Sequence, residues 1–170
     1  GMNGSILIEG INLAERHGLS SLILHSSITE LKQVIDMGIP PIVILPGLHD
    51  VVQHASIISG YDDKEKTIFH YVPEQKPSDE GIQVGVIPEK RFEKLWSEDG
   101  YLMVLLGPTD IISTLKSDDN KTKSNRLCFE SERLAIQKQT QETINSLEKA
   151  IQLNPDNSTA LCLLGGVLNE

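Results

Sequence analysis

Along residues 5–108 the apolar positions fall in short blocks that alternate between helical and extended spacing. Ile6 to His17 reads as a helix that stops at Gly18, and Leu19 to Leu24 as a short strand. Ser27-Ile28-Thr29-Glu30 is a capping box, in which the serine oxygen accepts from a backbone N–H while the glutamate reaches back. Leu31, Val34 and Ile35 give the following helix an apolar face. Gly38 ends it, and Pro40-Pro41 blocks any continuation. Ile42-Val43-Ile44-Leu45 is continuously apolar, the pattern of a strand buried on both faces. Ala55 to Ser59 and Lys66 to Tyr71 flank Gly60-Tyr61-Asp62-Asp63, which predicts a hairpin. Pro88 to Trp96 predicts a short amphipathic helix with Phe92, Leu95 and Trp96 inward. Pro88 stands near its start, where a missing N–H costs little. Tyr101 to Leu106 predicts a second buried strand, closed by Gly107-Pro108. Helices around a mostly antiparallel sheet give the class α+β.

The chain then changes character. Residues 113–126 are polar (Ser113, Ser117-Asp118-Asp119-Asn120-Lys121, Thr122 to Asn125) and read as a linker. Residues 127–170 are helical in pattern. The expected organisation is therefore an α+β domain over 5–112, a polar linker over 113–126 and helices over 127–170. Ala150-Ile151-Gln152-Leu153-Asn154-Pro155 closes a helical unit with a small residue and a proline before the turn. Leu161, Leu164, Gly165 and Leu168 come next as large, apolar, small, large. Stepping back 34 residues, the length of one repeat, from Leu161 lands on Leu127. Leu147 takes an apolar slot, while Ser131 and Thr143 fit theirs less well. This tail resembles tetratricopeptide (TPR) repeats, one and a half of them. Each such unit needs a neighbour to bury its apolar face. Leu161, Leu164 and Leu168 are thus expected to meet either further chain or a symmetric partner, a homo-oligomer.

Composition narrows the function classes. Fifteen Lys+Arg against 24 Asp+Glu give a net charge of −9. With no basic run, a nucleic-acid partner is not expected, because counterion displacement needs a cationic face. Anionic membrane surfaces are disfavoured for the same reason, and no apolar stretch approaches the ~18 residues of a membrane span. Aromatic residues are 4% with a single tryptophan, so the core is aliphatic. Residues 1–5 lack the basic end and apolar segment of a signal peptide. Gly1 ahead of Met2 reads as a remnant of tag cleavage. Cys128 and Cys162 form no metal or disulfide pattern, and a reduced, cytoplasmic setting is the expectation.

The stretch Gln53-His54-Ala55-Ser56-Ile57-Ile58-Ser59-Gly60-Tyr61-Asp62 resembles a signature of the bacterial, bacteriocin-processing type of papain-like cysteine peptidase. There a histidine opens a strand of apolar and small residues that ends in Gly-Tyr-Asp. Leu31 to Ile35, Gly38, Pro40-Pro41 and Ile42 to Leu45 are similar to that family's helix and central strand. Phe92 to Trp96 and Gly100 to Leu106 are similar to the closing helix and strand of its repeat-carrying subgroup. The resemblance covers about residues 6–108. It implies a papain-like fold with His54 as the catalytic base, whose ordinary pKa of about 6.5 suits removal of a thiol proton. The family's nucleophile belongs to a Gln…Cys-Gly motif at a helix start. Residues 1–25 hold no cysteine, and Ile6 to Leu24 is similar to the family's segment just beyond that helix. The family's aspartate before proline is replaced by Val72, ahead of Pro73, with Glu74 beside them.

Other constellations lead to less. Asn125-Arg126-Leu127-Cys128 reads as a helix start, but no glycine comes after it and Glu130 and Glu132 oppose a thiolate, so Cys128 is expected to be structural. Cys162 is expected to be a packing residue. His49-Asp50 with His54 offers metal-ligand types, but strand geometry would put the two histidines on opposite faces. His25 is expected to be an exposed polar end. Pro46-Gly47-Leu48 lacks a phosphate-cradling glycine pattern. No cofactor and no metal are expected. The expected function is a peptidase-like pseudoenzyme that binds a protein or peptide. The alternative is a fragment of an active cysteine peptidase whose Cys/Gln segment lies upstream.

Overall fold

The computed structural model describes residues 7–46, 53–72, 83–115 and 117–169. In chain order the elements are α1 (Leu7–Arg16), β1 (Ser20–His25), α2 (Ile28–Asp36), β2 (Ile42–Pro46), β3 (Gln53–Asp62), β4 (Thr67–Val72) and β5 (Gln83–Pro88). They continue with α3 (Glu89–Ser97), β6 (Leu102–Gly107), α4 (Thr109–Ile112), α5 (Asp119–Ile136), α6 (Thr140–Leu153) and α7 (Ser158–Leu168). Two compact units result. One is His25–Leu106, and the other joins Gly1–Leu24 to Gly107–Glu170.

The first of these units is a sheet carrying two helices. Its strands lie in the order β6-β2-β3-β4-β5. Every pairing within it is antiparallel. This is the expected α+β class. The capping box forms as read: Ser27 Oγ accepts from the Glu30 N–H at 3.3 Å and donates to the Glu30 carboxylate at 3.0 Å. Gly38 ends α2 at φ +80°, a conformation that costs glycine no Cβ clash. The apolar run of β2 departs from its reading. Val43 and Leu45 are buried, whereas Ile42, Ile44 and Pro46 are only partly so. Alternation along a strand sends one set inward and leaves the other on the opposite face, so β2 is buried on one face and not on both.

Phe92 and Trp96, four apart on α3, share one helical face and are fully buried. Leu95, expected beside them, is only partly buried. Their ring centroids are 5.6 Å apart, and Tyr101 meets Trp96 edge-on at 5.3 Å. The Trp96 indole N–H donates to the Leu102 carbonyl at 2.8 Å, which satisfies its one polar atom. β5 adds an edge strand where no element was expected, with Val84 and Val86 more than half exposed.

The second unit is mainly helical. Its α5 corrects the reading of 113–126 as a linker, because residues 119–126 are the first turns of that helix. Asp118 starts it: its carboxylate accepts from the N–H groups of Asn120 and Lys121 at 3.0 and 3.1 Å. The polar composition misled because Ser124 and Asn125 are buried and hydrogen-bonded. α6 packs against α5, and α7 against both. Cys128, Leu147, Ala150 and Ala160 form their core, flanked by Leu127, Ile151, Leu163, Leu164 and Val167. Ser131 and Thr143, the poorly fitting slots, are buried as well. Each hydroxyl donates to its own helix, to the Cys128 carbonyl at 2.6 Å and the Gln139 carbonyl at 2.8 Å.

Candidate functional site

The stretch Gln53 to Asp62, which carries the resemblance, forms the first strand of the β3–β4 hairpin. Its strands pair Ile58 with His70 and Gly60 with Phe69, which leaves Ser59 as a bulge. The Gly-Tyr-Asp signature closes it. A Cβ on Gly60 would come within 3.4 Å of the Phe69 ring, so glycine lets that ring lie over the strand. The Tyr61 hydroxyl donates to the Asp36 carboxylate of α2 at 2.9 Å. That bond, with the negative charge behind it, raises the phenol's pKa. Asp62 accepts from the N–H groups of Lys64 and Glu65 at 2.8 and 2.9 Å and shapes the turn. Each residue of the signature thus has a structural task.

Lys32 of α2 ties the same corner together. Its ammonium pairs with Asp63 and Glu89 and lies 5.0 Å from the Tyr61 ring centroid. Burial opposes the charge on Lys32, but its two carboxylate partners outweigh that and raise its pKa. Asp63 is correspondingly lowered, chiefly by its hydrogen bond from Lys32.

The backbone of His54 belongs to β3 and pairs with Leu45 of β2. Its side chain lies outside the described residues, as do that of Val72 and the whole of His49, Asp50, Pro73 and Glu74. The strand that carries His54 holds a second pair that sequence reasoning missed. Ser56 Oγ stands 3.0 Å from Nδ1 of His70, across the hairpin. In the sequence the pair shows only as Ser56 and His70 each standing two positions inside His54 and Val72. Ser56 is 1% exposed, so this hydroxyl fixes an imidazole and is not itself open to a substrate.

The cysteines separate clearly. Cys128 is buried in the interior of α5, not at a helix start as the sequence suggested. Burial, with Glu132 adding repulsion, pushes its thiol up to about 11. An inert, neutral packing thiol is the result. Cys162 is exposed, which corrects its reading as a packing residue, because it falls on the outer side of α7. His25 is exposed and has a task nonetheless. Its Nδ1–H donates to the Gly100 carbonyl at 2.7 Å, holding a turn where Gly100 and Tyr101 both have positive φ. Of the possible partner face, Leu161 and Leu168 are exposed, whereas Leu164 packs in part against the core of its unit.

Among the described residues no group of three or more His, Cys, Asp or Glu side chains is placed to hold a metal ion. No helix among them is long and apolar enough to cross a membrane. No protein-family model matches this sequence, and no curated protein matches it. Among solved structures the chain is similar to the peptidase domain of Streptococcus ComA, a bi-functional ABC transporter involved in a quorum sensing pathway. The identity is 19% and the TM-score 0.48, over 64% of this chain and 71% of that one.

Proposed function

We propose that this chain is a papain-like, peptidase-like domain joined to TPR-like helices, and that it binds a protein or peptide segment without cleaving it. The observation that carries this reading is the state of the thiols. The sequence has two cysteines. One is buried with its pKa pushed up to about 11, and the other is exposed in α7, remote in sequence from every histidine. Neither has the electropositive, accessible setting of a catalytic thiolate. The hairpin that carries His54 then serves as the wall of a binding site. Helices α5 to α7, with Leu147, Ala150 and Ala160 in their core, support one and a half repeats. A cytoplasmic setting belongs to the same reading.

The test has two arms. Phage-displayed unstructured peptides are selected on the full chain, and binders are mapped by amide shifts. Shifts clustered on β3 and β4 are expected. Hydrolysis of a quenched peptide library that disappears in Cys128→Ser would overturn the reading.

A fragment of an active cysteine peptidase is the second reading, supported by the place of His54 at the family's base position. A cysteine-reactive inhibitor applied to the protein in its own cells decides it. Labelling lost on replacing an upstream cysteine supports it, and absence of any label removes it. Intact mass from the same cells is the first measurement to make.

A further inference from the structure

We infer that the outer edge of β5 binds an extended peptide as an added antiparallel strand, one with apolar side chains at alternate positions and acidic residues at its amino end. This rests on the binding reading above and names the kind of segment bound. β5 stands last in the strand order, beside β4. The Glu89 N–H donates to the Lys66 carbonyl at 2.9 Å, which makes residues 89 and 66 a hydrogen-bonded pair. Bonded and non-bonded pairs alternate in an antiparallel ladder, so Ile87, Gly85 and Gln83 turn their backbone groups to β4. Val84 and Val86 turn theirs outward, and among the described residues no strand meets them. Their outward N–H and C=O groups repeat at about 6.8 Å, two residues of an extended chain. That spacing fits a second extended backbone and not a helix, whose own backbone groups are bonded within it.

The side chains agree. Val84 and Val86 are 54% and 57% exposed. They pair across the ladder with Tyr71 and Phe69, so this face of the edge is apolar although it is the open one. An edge strand is ordinarily shielded by a charge, a bulge or a proline. The register of β4 with β5 runs without a bulge, residues 83–87 carry no charge, and Pro88 stands only at the far end. An added strand lays its own apolar residues, two apart, beside the valines.

Charge sets the direction of the peptide. Lys90 and Arg91 come just after the edge, are exposed, and have no ion-pair partner among the described residues. Glu89, between them and the strand, is paired with Lys32 instead. In a chain of net charge −9, these two cations mark one end of the edge. An antiparallel peptide brings its amino end there, where acidic side chains are favoured. Two copies of the chain, each of net charge −9, repel, whereas a short peptide carries only the charge of its few residues.

The displayed peptides selected on the full chain, made synthetically, are the probe. They are expected to share two apolar residues in alternate positions behind an acidic amino end. On binding, the Val84 and Val86 amides are expected to exchange about tenfold more slowly, while those of Gly85 and Ile87 change little. N-methylation of every second peptide nitrogen is expected to abolish binding in one phase and spare it in the other, with the protein untouched. Val86→Pro removes an N–H that β4 does not use and is expected to abolish binding, with circular dichroism checking the fold. Lys90→Glu combined with Arg91→Glu is expected to weaken binding about fivefold or more. Peptides that shift β3 and β4 but leave the Val84 and Val86 amides unprotected overturn the inference and leave the binding reading standing. So does equal loss of binding in both N-methyl phases. A library that yields no binder removes both. Protection of Val84 and Val86 that grows with protein concentration and needs no peptide also overturns the inference, since a second copy then holds the edge.

Discussion

The sheet unit and the helical unit solve the same packing problem by opposite means. The sheet unit buries Phe92 and Trp96 of α3 and, besides them, Leu31, Val43, Leu45, Ile58, Ile68 and Met103. Ser56 is the buried polar residue described there. The helical unit buries Ser124, Asn125, Ser131, Thr143 and Asn157. Asn157 joins two of the others. Its Nδ2 donates to Ser124 Oγ at 2.8 Å and Asn125 Oδ1 at 3.2 Å, while its Oδ1 caps α7 at the Ala160 N–H. Ser124 passes the chain on to the Ala150 carbonyl at 2.7 Å. Large aromatic volume holds a sheet to a helix in one place. In the other, directional bonds set which turn of one helix meets which turn of the next. Apolar packing tolerates small slides, whereas a satisfied polar network fixes one register, because any other leaves buried groups unpaired.

Substitutions can break this contrast from either side. Trp96→Ala has the largest expected effect, about 3–5 kcal/mol from lost burial and the cavity left behind. Chemical denaturation should show it, with amide exchange in β2 and β6 accelerated and that in α6 preserved. Asn157→Ala is expected to cost about 2–3 kcal/mol, since it removes a helix cap and leaves Asn125 Oδ1 without a donor. Exchange in α7 should quicken first. Slower exchange there, or equal acceleration in both units, would break the comparison.

A smaller effect sharpens it through pH. Arg126 donates to both oxygens of Glu15 at 2.7 and 2.9 Å, and that pairing holds the Glu15 carboxyl below its ordinary value. The folded chain therefore takes up this proton at lower pH than the unfolded chain. The stability it supplies is complete above about pH 4.5, the ordinary value, and is lost as pH falls through the depressed one. With side chains 27% and 33% exposed, the pair is worth about 1 kcal/mol. Glu15→Gln should flatten the acid limb of the wild-type pH profile by that amount. The smallest effect belongs to Asp36→Asn. Removing the carboxylate that accepts from Tyr61 should let its phenol titrate at lower pH, read as ultraviolet absorbance against the Tyr61→Phe variant.

How far the sequence reaches follows the same division. The capping box, Gly38, the hairpin turn and the Phe92–Trp96 face were legible because each is a local pattern with a local cause. β5 was not, since Val84 and Val86 are apolar residues on the open side of a strand and invert the usual alternation. The start of α5 was hidden because Ser124 and Asn125 look like surface residues until Asn157, more than thirty positions on, supplies their bonds. Ser56 and His70 escaped for a similar reason, as their pairing depends on the Ser59 bulge. The position of His54 on β3 was read from the sequence. The side chain of His54 lies outside the described residues.

The helical unit is assembled from the two ends of the described chain, and this has a consequence for the order of folding. Glu15 emerges from the ribosome 111 residues ahead of Arg126, its partner. The sheet unit, contiguous over His25–Leu106, is fully synthesised in that interval. At translation rates of about 5–20 residues per second, α1 waits on the order of ten seconds for α5. Until then its apolar side, Ile8 and Ile11, lacks that helix as cover. A nascent chain stalled before residue 119 should therefore be a form open to chaperones, although its sheet unit has already been synthesised.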